Sequence, residues 1–437
     1  MNGGRPPVAT RFYYGWVVIA VAFLTLGIAV NARTAFSLLY PPILDEFGWE
    51  RGVTAAIFSV GFIASTASVP FIGMLMDRYG PRIILPVSAI VVALGYYAAT
   101  FASTPLAFYL SLGLLATGGS MPMAYVGHSM FLPNWFMRRR GLALGIAFSG
   151  VGVLALGLFP LLQIVIDTSG WRTACIAMAC AFIIVIIPLN LLLQRGRPED
   201  VGLLADNGDA SGEADSAAGG PVIVDKAWAE RDWTLPSAMR TRRFWWIAAG
   251  YFLALYAWYA VQVHQIRFFL DVGVNATEAA FAFSLVAAAG VIGQITIGHF
   301  SDRFGREVGW SVAVSGFMLC AIAMVVMESH PNRLLLYATV GFQGLLGYGI
   351  ASLFGPVTAE IFAGRRFATI LGTVAVMANL GAGTGPWVTG YLYDLAGSYT
   401  VGLCVVAIAC PLSILCIWIA APRKVRRVAG ATRHSAG

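Results

Sequence analysis

The stretch Gly73-Met-Leu-Met-Asp77-Arg78-Tyr79-Gly80 returns 225 residues later as Gly298-His-Phe-Ser-Asp302-Arg303-Phe304-Gly305. A second, unrelated pair keeps nearly the same spacing. Arg139-Arg140-Gly141, followed by Leu-Ala-Leu-Gly145, matches Arg365-Arg366-Phe367 through Gly372 at an offset of about 226. Two motifs that share one offset mark an internal duplication, so each half of the chain has to be built the same way.

The composition states what those halves are made of. Of 437 residues, 58% are hydrophobic and 11% charged, and the mean hydropathy is +0.76. Soluble domains carry about 25% charged residues, and a chain with less than half of that cannot cover its surface with polar groups. The sequence reads as an integral membrane protein lying in the lipid bilayer, which sets aside soluble enzymes, nucleic-acid binders and secreted modules. The net charge of +7 belongs to loops beside a membrane and not to nucleic-acid binding. Six cysteines, Cys175, Cys180, Cys320, Cys404, Cys410 and Cys416, all fall in apolar stretches and form no C-x-x-C. They predict neither a disulfide nor a metal site.

A span needs about 20 apolar residues. Twelve such stretches occur, at 14–40, 54–75, 83–103, 106–133, 141–165, 173–193, 244–269, 278–300, 309–327, 333–356, 368–392 and 398–421. Arg5, Arg11, the apolar run and Val30-Asn31-Ala32 imitate a signal peptide, but cleavage there removes one span from a symmetric set. With the N-terminus placed inside, 23 basic residues fall on inner segments and four, Arg51, Arg172, Arg267 and Arg333, on outer ones. The positive-inside rule then predicts both termini to be cytoplasmic, in a bacterial inner (plasma) membrane. One basic residue, Arg33, lies inside the first span.

Only one connection is long. Residues 195–243 form a predicted cytoplasmic linker loop, whose middle, Ala205 to Pro221, is rich in Gly, Ala, Ser and Asp and has a flexible linker's composition. It separates an N-terminal six-helix half, 1–194, from a C-terminal six-helix half, 244–437, which ends in a short basic tail. The expected fold is an all-α integral membrane protein: twelve transmembrane helices in two pseudo-symmetric halves. Duplicated halves with a substrate site between them near the midplane are a transporter architecture.

The doubled G-x-x-x-D-R-[YF]-G resembles the loop motif of the major facilitator superfamily, and the twelve-span layout extends the resemblance over the whole chain. The motif's glycine allows close helix approach, and its aspartate can cap a helix and attract arginines. The resemblance implies a conformational latch made of Gly73, Asp77, Arg78, Gly80, Arg140, Gly298, Asp302, Arg303, Gly305 and Arg366. A narrower resemblance is to the monocarboxylate carriers and bacterial oxalate–formate exchangers. It rests on Tyr40-Pro41-Pro42-Ile-Leu-Asp45-Glu46-Phe47-Gly48-Trp49, on Trp135-Phe-Met-Arg-Arg-Arg140-Gly141-Leu-Ala-Leu-Gly145, and on Thr234-Leu-Pro-Ser-Ala-Met-Arg240-Thr-Arg-Arg-Phe244-Trp-Trp.

Arg33 is the most informative single residue, because an arginine within a span costs several kcal/mol and needs a compensating partner. Monocarboxylate carriers place a substrate-binding lysine on the first span. Counting back from Tyr40-Pro41-Pro42, that position is Arg33, whose guanidinium can grip a carboxylate with two parallel hydrogen bonds. The alternative is that Arg33 snorkels toward an outer vestibule. Asn31, two residues before Arg33, is a further substrate-binding candidate. The second half departs from the family: Gln294 stands where an arginine is expected on span 8, and Gly290 or a neighbour stands where a proton-coupling aspartate is expected. Gln donates and accepts hydrogen bonds without neutralising charge, which favours a monoanion over a dianion.

His128 and His264 are the remaining titratable groups at useful depth, either proton relays or neutral residues bonded within the bundle. Tyr125, Tyr259, Tyr348 and Asn379 are cavity-lining candidates, with packing as the alternative for each. Together these residues predict a secondary transporter that moves a small organic anion, a monocarboxylate, by alternating access. Protons or a counter-anion are possible coupling partners, and nucleic acid is not a partner. The alternatives are a drug or metabolite exporter of the same superfamily, in which Arg33 is structural, and a transporter-like sensor. No cofactor, metal site or enzyme activity is expected, since G-x-x-x-x-G-K-[ST], H-E-x-x-H and G-x-S-x-G are all absent.

Overall fold

A computed structural model of the chain describes residues 13–136, 140–203, 222–362 and 366–427. Nine helical stretches among the described residues are long and apolar enough to cross a membrane. One of them, Ala143–Leu193, has 51 residues, and as a straight helix it would be about 75 Å long, more than twice the ~30 Å hydrocarbon core. Gly170 breaks it, with φ 82° and ψ 162°, a conformation that only glycine adopts without strain. It therefore makes two passes. Arg51–Tyr79, with 29 residues, and Phe367–Ala396, with 30, are also of spanning length.

The twelve passes are α1 Gly15–Phe47, α2 Arg51–Tyr79, α3 Pro81–Ala99, α4 Pro105–Phe131, α5 140–169, α6 171–193, α7 Arg242–Asp271, α8 Ala276–Phe304, α9 Arg306–Ser329, α10 Arg333–Phe362, α11 Phe367–Ala396 and α12 Thr400–Ala420. The protein is thus an integral, multi-pass, all-helical membrane protein. Helices are the natural form here because the bilayer supplies no partner for a backbone N–H or C=O. Large apolar side chains such as Phe71, Phe101, Leu161, Ile184, Ile295 and Leu395 are exposed, as lipid-facing residues are.

Packing groups the chain into two compact units. One holds the described residues through Ala35 and those from Ala67 to 203; the other holds Phe36–Thr66 and the described residues from 222 onward. The second unit therefore contains a helical hairpin from the first sequence repeat, made of the second part of α1 and the first part of α2, turned at Gly48. The α1 helix is interrupted by a turn at the unit boundary, next to Ala35.

Each unit repeats the other's packing devices. In the first, a Cβ on Gly150 of α5 would overlap the Phe23 carbonyl of α1, and one on Gly27 would come within 2.7 Å of the Gly150 carbonyl. In the second, a Cβ on Gly381 of α11 would overlap the Phe252 carbonyl of α7, and one on Gly385 would meet the Tyr256 carbonyl at 2.5 Å. The α3–α4 and α9–α10 pairs match as closely. The α4 helix widens to π-helical turns over Tyr109–Gly118 and α10 over Phe342–Leu346. Gly95 of α3 lies where a Cβ would meet the Ser111 carbonyl and the Ala116 N–H at 2.7 Å; Gly316 of α9 would meet the Phe342 carbonyl and the Gly347 N–H at 2.5 Å. The duplication read from two loop motifs extends to the way the helices touch.

These contacts predict a sharp positional contrast. Gly381→Leu drives a side chain into the α7 backbone and is expected to abolish recovery of monodisperse protein. Gly372→Leu, on the same helix with nothing within 4 Å of the added Cβ, is expected to leave the melting temperature in detergent within a few degrees of wild type. Size-exclusion profiles and thermal melts of the two variants check this.

Candidate functional site

In the first unit the candidate polar residues gather around the apolar cluster of Leu26, Val30, Ile72, Met121, Ala124 and Val151, against which Tyr125 and Phe148 pack. Asn31 is buried, and its Nδ2 donates to the Val151 carbonyl at 2.7 Å. It thus ties α1 to α5, one residue beyond Gly150. His128 is fully buried; its Nδ1 lies 3.2 Å from the Ala124 carbonyl, and its Nε2 has no hydrogen-bond partner among the described residues. Arg33 is 9% exposed. It stands two residues before the point where α1 leaves this unit, one residue after the contact that the Tyr96 hydroxyl makes with α1. That hydroxyl donates to the Ala32 carbonyl at 2.7 Å.

The second unit contributes neutral hydrogen-bonding groups. On α7, Gln262 accepts from Trp258 Nε1 at 2.7 Å, and its Nε2 lies 3.5 Å from the Tyr348 hydroxyl on α10. The Trp258 and Tyr348 rings are 4.5 Å apart. Tyr259 packs against Phe58 and Phe62 of the hairpin, with ring centroids 5.7 and 4.6 Å away. Gln294 and Asn379 are half-buried and make no hydrogen bond among the described residues. An amide within a span and without an internal partner is expected to face water or a ligand. Gln262 and Trp258 did not stand out in the sequence, because a Gln between aromatic residues gives no signal until the fold brings Tyr348 to it.

At one end of the second unit lies the second copy of the loop motif. Gly305 has φ 111° and turns the chain from α8 into α9, as Gly80, at φ 73°, does between α2 and α3. A Cβ on Gly298 would make only ordinary contact, 3.4 Å from Ser352 Oγ. Asp302 is 60% exposed and pairs with Arg306 at 2.6 Å; Arg306 also pairs with Glu360 of α10 at 2.8 Å, where the carboxylate side chain is 9% exposed. Arg303 and Arg366 are exposed, and Arg78 lies over the Tyr79 ring. The side chains of Asp77 and Arg140 and the surroundings of Gly73 lie outside what the structure describes.

The same end is clasped by chain that composition alone assigned to the linker. Val222–Ile223 pairs antiparallel with Arg426–Arg427. Trp228 Nε1 donates to the Ile361 carbonyl at 2.8 Å, and the buried Trp233 packs on Phe362. Arg426 donates to the carbonyls of Ala359 and Glu360. The Gly/Ala/Ser-rich middle of the linker lies outside the described residues, but its C-terminal part closes over the end of α10.

At the opposite end of α7 the hairpin is held by charge. Arg51 Nη1 donates to Asp271 Oδ2 at 2.6 Å and to the Tyr399 hydroxyl at 2.7 Å, and its guanidinium lies 3.6 Å from the Tyr393 ring centre. Arg267 pairs with Asp45 and lies 3.0 Å from Asp271, the latter contact at an angle outside hydrogen-bond geometry. A cavity of about 440 Å³ opens beside this network, lined by Asp271, Glu328, Tyr393 and Tyr399 among others. None of the predicted substrate residues lines it. His264 is 2% exposed and joins the network from below, with Nδ1 3.2 Å from the Tyr399 hydroxyl and Nε2 2.8 Å from the Pro386 carbonyl.

Comparison with known proteins places this arrangement. The family model described as Major Facilitator Superfamily matches residues 21–351 and 265–435. The chain is 26% identical over 400 residues to monocarboxylate transporter 13 of Rattus norvegicus, covering 90% of this chain and 85% of that one. It is 28% identical over 395 residues to monocarboxylate transporter 11 of Homo sapiens, covering 89% and 79%. Among solved structures, the nucleoside transporter NupG aligns with a TM-score of 0.68 at 14% identity, over 93% of this chain and 98% of that one. A bacterial homolog of the human lysosomal transporter Spinster, inward-facing and occupied, aligns at 0.64 and 16% identity, over 95% and 97%. These two likenesses concern the fold alone.

The ion pairs at the motif end make a graded prediction. Arg306→Gln strands the nearly buried Glu360 carboxylate and is expected to cost about 3–5 kcal/mol. Asp302→Asn removes an exposed partner and is expected to cost under ~1 kcal/mol. Equilibrium unfolding in mixed micelles compares the two.

Proposed function

The chain belongs to the major facilitator superfamily and is a membrane transporter, not an enzyme; from that premise we propose that its substrate is a small organic monocarboxylate, carried by alternating access. The observation that carries the reading is Arg33: a guanidinium enclosed in an apolar span, beside the turn at which α1 passes from one packed unit to the other. A guanidinium binds a carboxylate through two parallel hydrogen bonds. The names of the two relatives reported above, both monocarboxylate transporters, support the substrate class.

The second repeat supports a single negative charge. Gln262, Tyr348, Gln294 and Asn379, among the polar groups it offers within the spans, are all neutral. Such groups can bind a hydroxyl, a carbonyl or one carboxylate oxygen, and they give a second carboxylate no counter-charge. Asn31 ties α1 to α5 two residues before Arg33; Tyr125 and His128 in the first unit and Tyr259 in the second are further proposed substrate residues. The motif residues Gly73, Asp77, Arg78, Gly80, Arg140, Gly298, Asp302, Arg303, Gly305 and Arg366 are proposed as the latch that sets the conformational bias. The arginine distribution supports a plasma-membrane orientation with the motif end and both termini in the cytoplasm.

Arg33→Gln is expected to abolish carboxylate uptake into proteoliposomes while leaving the melting temperature near wild type. Uptake at the wild-type rate in that variant removes the anchor role. Purified protein is expected to gain a few degrees of thermal stability with a saturating monocarboxylate, as binding to the folded state alone requires, and no gain with a dicarboxylate or in Arg33→Gln. Stabilisation by apolar drugs, with none from any carboxylate, supports the exporter reading instead.

A further inference from the structure

The hairpin Phe36–Thr66 is fastened to the rest of the second unit by backbone amides as well as side chains. Asp394, at the end of α11, accepts the Arg51 N–H at 2.8 Å on one oxygen and the Gly52 N–H at 2.7 Å on the other. Its charge therefore sits on the N-terminus of α2, where free amides and the helix dipole favour an anion. The approach is close because both sides lack a side chain: a Cβ on Gly390 would meet Gly52 Cα at 2.7 Å, and one on Gly52 would meet the Tyr391 N–H at 2.9 Å. The Arg51 side chain, on the same turn, runs to Asp271, Tyr393 and Tyr399. The Tyr40 hydroxyl donates back to the Arg51 carbonyl at 3.2 Å.

The hydrogen bonds leading inward from Arg51 have a fixed direction. The Pro386 carbonyl can only accept, so His264 Nε2 carries a hydrogen. In a neutral imidazole Nδ1 is then a lone pair, and it accepts from the Tyr399 hydroxyl. That hydroxyl's oxygen accepts in turn from Arg51. The chain therefore runs Arg51 to Tyr399 to His264 to Pro386, with one donor at each step.

A proton added to His264 breaks this order. Nδ1 becomes a donor facing another donor, and an imidazolium faces the Arg51 guanidinium one hydroxyl away. The charged and titratable groups around the ring are Tyr40 of α1, Arg51 of α2, Arg267 and Asp271 of α7 itself, Tyr393 and Asp394 of α11, and Tyr399, which directly precedes α12. Asp271 is paired with Arg51 and Arg267 and Asp394 with the α2 amides, and among the described residues no hydrogen bond or ion pair joins either carboxylate to His264.

We propose that Arg51 and Tyr399 are the coupling residues of this transporter: through them the protonation state of His264 sets whether the hairpin Phe36–Thr66 stays seated or swings free. Neutral His264 holds the Arg51 end shut. Protonation releases it, and by reciprocity an open hairpin takes up a proton more readily. This supplies a route to proton coupling without the carboxylate that α8 lacks. The inference rests on the transporter assignment and is independent of the substrate's identity.

The test follows the hairpin directly, by hydrogen–deuterium exchange of peptides spanning residues 40–55 in the purified full-length protein, without substrate. Between about pH 8 and about pH 5, a window that brackets histidine titration, exchange corrected for its intrinsic pH dependence is expected to rise roughly tenfold in wild type. His264→Gln is expected to show no rise. Tyr399→Phe keeps the ring and removes the relay, so its exchange is expected to be raised at both pH values and insensitive to pH. Asp394→Asn is expected to raise exchange throughout while keeping the response. A flat wild-type profile overturns the proposal, as does a response that survives unchanged in either His264→Gln or Tyr399→Phe.

Discussion

Helices in a bilayer gain nothing from burying apolar surface against one another, since lipid tails are as apolar as leucine. Close van der Waals contact and hydrogen bonding have to hold them. In this protein that constraint is met at a few glycines where one helix lies directly on another's backbone. Gly150 rests on α1 and Gly381 on α7, in corresponding helix pairs of the two repeats. The π-helical turns of α4 and α10 are met by Gly95 and Gly316 in the same manner. Asn31 adds its hydrogen bond to the Val151 carbonyl beside the first of these contacts, so the residue next to the proposed substrate anchor depends on the same crossing. The polar groups of α7 and α10 depend on the second.

The charges follow from the same solvent. The ion pairs described here lie at helix ends, where water or the backbone can share in their solvation. The two ends of the second unit use charge differently. At the motif end Arg306 ties α8, α9 and α10 together, and the linker and C-terminal tail close over the end of α10 with Trp228, Trp233 and Arg426. That end is fastened by several short-range contacts within one repeat. At the other end, Arg51, Asp271, Asp394 and Arg267 fasten a hairpin that belongs to the other repeat by sequence. A carboxylate on two backbone amides and a guanidinium on one carboxylate can separate without disturbing a packed core, which suits a contact that has to open and close.

Much of this was legible in the sequence, because the relevant signals are local. Twenty-residue apolar runs, the doubled motif and the arginine asymmetry each depend on a stretch of chain and its solvent. Arg33 stood out for the same reason: a charge in an apolar run is visible without knowing its neighbours. Gln262 was not visible, since its role needs Trp258 one turn away and Tyr348 on another helix. The linker was legible only as composition, and its C-terminal part folds because Phe362 and the tail are there to receive it.

By itself, then, the sequence determined the class of protein, the number and order of its spans, the duplication and the family, all of which follow from local hydropathy and from motifs read in place. Only the tertiary structure decided which half holds the hairpin and what a given polar group faces. Asp394 reaches the amide of Arg51 across 343 residues of chain, and Tyr399 joins His264 across 135. No periodicity encodes such pairings. They arise where glycines let two backbones come within reach, and that meeting is a property of the packed helices.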